Sequence, residues 1–166
     1  MTSDPLITYR RKPAHLDLSA VETFAETLRK RIAKGQEFHC LITGDAELQQ
    51  LNRTYRKKDY PTDVLSFPGE QPYLGDIAIS LARARAQAKQ QGHTTEDELK
   101  ILLLHALLHL KGHDHETDKG QMKRAESRWR TKLNLPTGLI ERGARSQRAA
   151  SRLISTPPRT PRPTPC

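Results

Sequence analysis

Aromatic side chains are scarce in this chain: three Phe, four Tyr and one Trp among 166 residues. An interior must therefore be built from aliphatic residues, and the runs near residues 39–43, 64–67, 77–81 and 101–110 can supply one. No stretch of about 18 apolar residues exists, which argues against a membrane-spanning helix. The first residues, Met-Thr-Ser-Asp-Pro-Leu-Ile, lack a basic segment followed by an apolar one, so no secretory signal is expected. Cysteine is nearly absent. Cys40 lies in an apolar run and Cys166 is the last residue. Two such residues make no disulfide framework, and a reducing cytoplasm is the expected setting.

Acidic residues are outnumbered, 19 Asp and Glu against 28 Lys and Arg, for a formal charge of +9. Much of the excess is local. Residues 141–166 hold six arginines and one glutamate, a net of +5, which leaves +4 on the other 140 residues. A basic balance favours a polyanionic partner through long-range attraction and counterion release, and it also serves solubility. Five of the eleven prolines fall between Pro157 and Pro165. A segment of that composition buries too little apolar surface to offset its ordering entropy. The chain is thus read as one folded domain over residues 1–136 and a basic, disordered tail over 137–166.

Within the domain, apolar periodicity predicts strands at Leu6–Arg10, Phe38–Thr43, Val64–Phe67 and Asp76–Ser80. Helices are predicted over Leu18–Lys34, after Gly44-Asp45 with Leu48, Leu51 and Tyr55 on one face, over Leu81–Gln91, over Glu96–Lys111 and over Lys119–Leu133. Pro61-Thr-Asp reads as a turn, and Gly69 to Gly75 as a loop or hairpin. Thr95-Glu-Asp-Glu98 matches a capping box. The helix that follows is apolar nearly all round its C-terminal half, so it should be buried.

That apolar helix contains the most informative feature. Four of the seven histidines fall between residues 105 and 115, in His105-Ala-Leu-Leu-His109-Leu-Lys-Gly112-His-Asp-His115. Positions four apart share a helix face, so His105 and His109 can converge on one ion. Gly112 lets the chain turn back, and His115 can return as a third ligand, with His113 as the rival. Two imidazoles in an aliphatic helix are costly unless something satisfies their nitrogens. Three neutral imidazoles leave an open position, as in catalytic zinc sites, where bound water loses its proton near neutral pH. Zinc is favoured over nickel or copper by function and availability more than by affinity. Asp114 and Asp76 are candidates for orienting a ligand or for moving a proton. The His-x3-His-x2-Gly-x2-His spacing is that of the metzincin proteases, but their general-base glutamate is replaced here by Ala106. A protease reading is therefore disfavoured.

A second constellation lies upstream: Leu51-Asn-Arg-Thr-Tyr55-Arg56-Lys-Lys-Asp59-Tyr-Pro61-Thr-Asp-Val-Leu-Ser-Phe-Pro68. Its cations can be a solvated face, or Arg56 can clamp a phosphate with its planar fork. These two motifs, followed by Leu74-Gly-Asp-Ile-Ala-Ile-Ser80, resemble the bacterial YbeY endoribonuclease family over about residues 5–135. The resemblance implies a small α/β (α+β) domain, a mostly parallel, partly mixed sheet with the metal helix packed on it. It implies one zinc ion held by His105, His109 and His115, and Arg56 as the functionally important arginine. It implies a single-strand-preferring endoribonuclease that acts on the 3′ end of small-subunit ribosomal RNA and in ribosome quality control. The partners to expect are then RNA and the small ribosomal subunit, with ribosomal proteins or an assembly GTPase beside them, and no membrane. Either water or the RNA's own 2′-OH fits as nucleophile. The rival reading is a ribosome-assembly factor that binds RNA around a chiefly structural zinc.

Overall fold

A computed structural model describes residues 4–60, 62–112 and 119–136. The predicted turn residue Pro61, the segment with His113, Asp114 and His115, and the basic tail lie outside the described residues. The elements run β1 (Ile7–Tyr9), α1 (Leu18–Arg31), β2 (Phe38–Thr43), α2 (Asp45–Arg56), β3 (Val64–Pro68), β4 (Gly75–Ser80), α3 (Leu81–Gln91), α4 (Thr95–Leu110) and α5 (Gln121–Lys132). The sheet is mixed, in the order β1-β2-β4-β3. β1, β2 and β4 are parallel, and β3 pairs antiparallel with β4 at one edge. The six residues between β3 and β4 make the hairpin expected there. Gly75 closes it with φ +149°, its Cα so close to the Phe67 carbonyl that a side chain would collide.

Strand alternation sorts the sheet into two unequal faces. Phe38, Cys40, Ile42, Val64, Ile77 and Ile79 point to the face packed by α1 and α4, and they join one large core with Leu28, Leu99, Leu102 and Leu103. α3 and α5 pack in turn against α4. Leu65 and Ala78 point the other way, where α2 covers them with Leu48, flanked by half-buried Leu51 and Phe67. α4 is the centre of the larger layer, and every residue from Ile101 to Leu108 is buried. Each leucine so buried contributes roughly 1.5–3 kcal/mol.

Helix ends follow the local chemistry with two corrections. Asp17 caps α1 by accepting the Ala20 N–H at 3.0 Å, and Ser80 caps α3 by accepting that of Arg83. For α4, however, the capping residue is Thr94, not Thr95: its hydroxyl accepts the Asp97 N–H at 3.0 Å. Glu98 does not close a capping box. It is fully buried and meets His93 Nε2 at 2.7 Å, so burial and the histidine partner outweigh the local cap. The second correction concerns Tyr55. It is 67 % exposed rather than part of the apolar face of α2, with its ring edge-on to Phe67 at 5.5 Å.

Candidate metal and phosphate site

The histidine pair sits where the periodicity placed it. His105 is buried in α4, and His109, one turn later, is half-buried. Their ring centroids are 5.2 Å apart and the rings are tilted by 54°. Gly112 ends the helix with φ +98°, donating its N–H to the His109 carbonyl, as the glycine stop requires. The chain leaves α4 here, immediately before His113, Asp114 and His115, so both candidates for a third ligand lie outside the described residues. Ala106 is fully buried, and its methyl side chain cannot act as a general base.

α5 supplies a residue that sequence reasoning missed. Glu126 is buried, and its Oε2 lies 3.1 Å from His105 Nδ1. With Nδ1 donating to the Glu126 carboxylate, Nε2 is the nitrogen of this ring that could ligate a metal. A carboxylate on the far nitrogen is the arrangement that fixes tautomer and ring orientation in histidine–metal sites. The donor set therefore fits a metal. A buried imidazole is held by a carboxylate, and a second imidazole stands one turn away. A signal for Glu126 was present. It is the single acid in α5, and it lies beside Ala125 and four residues after Met122, on the buried side of that helix.

The upstream constellation divides into architecture and one reaching cation. Asn52 is fully buried, and its side chain donates to the Tyr60 carbonyl at 2.9 Å, pinning the loop after α2. Asp59 accepts from Gln49 at 3.0 Å and faces Arg53 at 3.6 Å. Asp63 is buried and joins three elements: its carboxylate accepts the Val64 N–H and the Gln87 amide, and its carbonyl accepts the Ser80 N–H. Arg56, at the end of α2, is half-buried and donates from Nη2 to the Ser66 carbonyl at 3.1 Å. It thus reaches the edge strand β3, against whose other side α4 packs.

The structure separates Asp76 from the histidines. By alternation it shares the α2 face of β4 with Ala78, whereas α4 lies on the face of Ile77 and Ile79. Asp76 is exposed and accepts the Tyr73 hydroxyl at 2.5 Å. Burial, reinforced by that carboxylate, pushes the Tyr73 phenol well above its usual range. Asp76 thus shares the α2 side of the sheet with Arg56, whereas the histidines lie on the α4 side.

Comparison with known proteins matches the same stretch of chain. The family model described as Endoribonuclease YbeY covers residues 7–134. The chain belongs to the YbeY endoribonuclease family. Among YbeY relatives, the Endoribonuclease YbeY of Solibacter usitatus is 63 % identical over 136 residues, spanning 82 % of this chain and 92 % of that protein. The one from Koribacter versatilis is 43 % identical over 151 residues, spanning 89 % and 97 %. The one from Helicobacter pylori strain Shi470 is 40 % identical over 133 residues, spanning 78 % and 92 %. The solution structure of TM1509 from Thermotoga maritima shares the fold, with a TM-score of 0.53 at 24 % identity over 93 % of this chain and 99 % of that one. The YbeY family model stops just short of the basic tail. No helix among the described residues is long and apolar enough to cross a membrane.

Proposed function

We propose that this chain cuts single-stranded RNA by metal-assisted phosphodiester cleavage, with zinc held by His105, His109 and His115. The cleavage serves maturation of the 3′ end of small-subunit ribosomal RNA and ribosome quality control in the cytoplasm. The observation that carries the reading is the buried His105, fixed through Nδ1 by Glu126, one helical turn from His109. When bound, zinc supplies Lewis acidity toward a phosphoryl oxygen. The protein's own part is orientation and charge. Glu126 holds the His105 ring, and the dry aliphatic surround of α4 strengthens every charge interaction at the site. Arg56, braced on Ser66, offers a guanidinium with five N–H donors in a fixed plane, suited to the charge that grows on phosphoryl oxygens.

One observation favours the assembly-factor reading. Arg56 already has a structural task in satisfying an edge-strand carbonyl. A cleavage assay on a single-stranded RNA oligonucleotide separates the two. It compares zinc-loaded wild type, metal-stripped and re-zinced wild type, Arg56→Ala and His109→Ala, each checked for folding by circular dichroism. The nuclease reading expects activity that follows the metal. It also expects a loss of about 10²–10³ in folded Arg56→Ala, the size seen when one transition-state donor is removed. Folded, zinc-loaded wild type that leaves RNA intact transfers the assignment to the assembly factor. End-group analysis settles the nucleophile, since a 2′,3′-cyclic phosphate identifies the 2′-OH and rules out attack by water.

A further inference from the structure

The outer face of α5 is cationic and holds no exposed acid. The helix contains Lys123, Arg124, Arg128, Arg130 and Lys132, and its one carboxylate, Glu126, is buried against His105. Arg124, Arg128 and Lys132 follow one another at intervals of four, which sets them in a row about 6 Å apart along the axis. With Ser127 and Thr131 they line one open, shallow depression. Like charges at this spacing repel. Elsewhere on the surface several arginines are paired with carboxylates: Arg10 with Glu47, Arg29 with Glu26, Arg53 with Asp59 and Arg83 with Asp45. Among the described residues, Arg124, Arg128 and Lys132 have no such carboxylate; Arg124 bonds only the Lys119 carbonyl, at 3.3 Å. The row is also braced. The Lys132 ammonium sits 5.0 Å from the centre of the Trp129 ring, and Arg31, from the end of α1, sits 5.2 Å from it. That places a fourth cation beside the row.

We infer that this row binds the phosphates of RNA nucleotides flanking the cleaved bond. The inference rests on the RNA-cleavage reading for its substrate and on α5 for its geometry. One face of the helix orients His105, and the opposite face carries the row, about 10–12 Å away across the helix. A single strand seated at the histidines can therefore continue over α5. The Ser and Thr hydroxyls add neutral donors to the row. Contacts of this kind set position and affinity rather than sequence.

The test measures binding of a long, fully 2′-O-methylated single-stranded RNA by fluorescence anisotropy across a salt series. Full-length wild type is compared with the combined Arg124→Gln, Arg128→Gln, Lys132→Gln variant. A control neutralises three cations elsewhere, Arg11→Gln, Lys12→Gln and Lys89→Gln. Losing three phosphate contacts should flatten the slope of log affinity against log salt by about 2. In cleavage assays at about 0.15 M salt, KM for a long RNA should rise about 50-fold at unchanged kcat, by the counterion term alone. An unchanged slope in the folded α5 variant overturns the inference. So does an equal loss in the control, which would make net charge the cause. Wild type that binds with the full slope but never cuts overturns the nuclease reading and leaves the phosphate row standing.

Discussion

The two faces of the sheet are built to different depths. On one, α1 and α4 press a continuous aliphatic layer onto the strands, with α3 and α5 packed behind α4. On the other, α2 alone covers a cluster of Leu48, Leu65 and Ala78, with Leu51 and Phe67 half-exposed around it. The histidines belong to the deep face and Arg56 to the helix of the shallow one, and the two approach the edge strand β3 from opposite sides. A metal ligand gains from the deep layer, where packing fixes rotamers and excludes water. An arginine that must meet a large polyanion gains from the shallow side, where it stays within reach of solvent.

The largest effect that can break this comparison is on stability. Leu104→Ala empties a site enclosed by rigid neighbours and should cost about 4 kcal/mol in urea unfolding, whereas Leu48→Ala, beside side chains free to collapse, should cost about 3. Equal costs, or a larger one for Leu48, would contradict the asymmetry. The next effect is on the metal. Glu126→Gln removes the carboxylate but keeps the shape, and should weaken zinc retention about 10- to 100-fold in chelator competition. Arg56→Ala, on the other face, should leave zinc retention unchanged while slowing cleavage. If Glu126→Gln lowers the melting temperature without moving zinc affinity, its bond to His105 is packing and nothing more.

Much of this was legible before any coordinates, for reasons that can be named. Helix periodicity exposes α1 and α5, because each buries one face, while α4 shows as a long aliphatic run behind a cap. His105 and His109 stood out because they interrupt an otherwise aliphatic helix. Thr94 and Thr95 are adjacent and chemically equivalent caps. What chooses between them is where Glu98 goes, and that depends on His93 and on tertiary burial. Glu126 lies 21 residues from its partner. Nothing local says that α5 returns to α4, although a lone acid on the apolar side of a basic helix was a clue. Once Ile77 and Ile79 are assigned to the core, alternation alone sends Asp76 to the other face. Strand order was the least legible, since parallel pairing of β2 with β4 spans the whole of α2 and β3.

The smallest effect distinguishes the faces by acid. The shallow face is tied to β1 by Glu47 of α2, which accepts from Arg10 at 2.9 Å and from the Thr43 hydroxyl at 2.8 Å. The Arg10 hydrogen bond, outweighing partial burial, holds the Glu47 carboxyl below its usual range. A carboxyl lowered on folding contributes stability that is present above its unfolded pKa, about 4.3, and is lost as pH falls through the folded value. Acid should therefore loosen this contact in that window. Glu47→Gln should lower the melting temperature slightly at pH 7, flatten its dependence on pH through that window and converge with wild type in acid. The pair is exposed and screened, so the difference should shrink as salt is raised. Hydrogen exchange read at the same pH should show α2 amides opening before those of α4. The reverse order would mean that the acid-sensitive element lies in the deep layer and that the α2 face is the sturdier of the two.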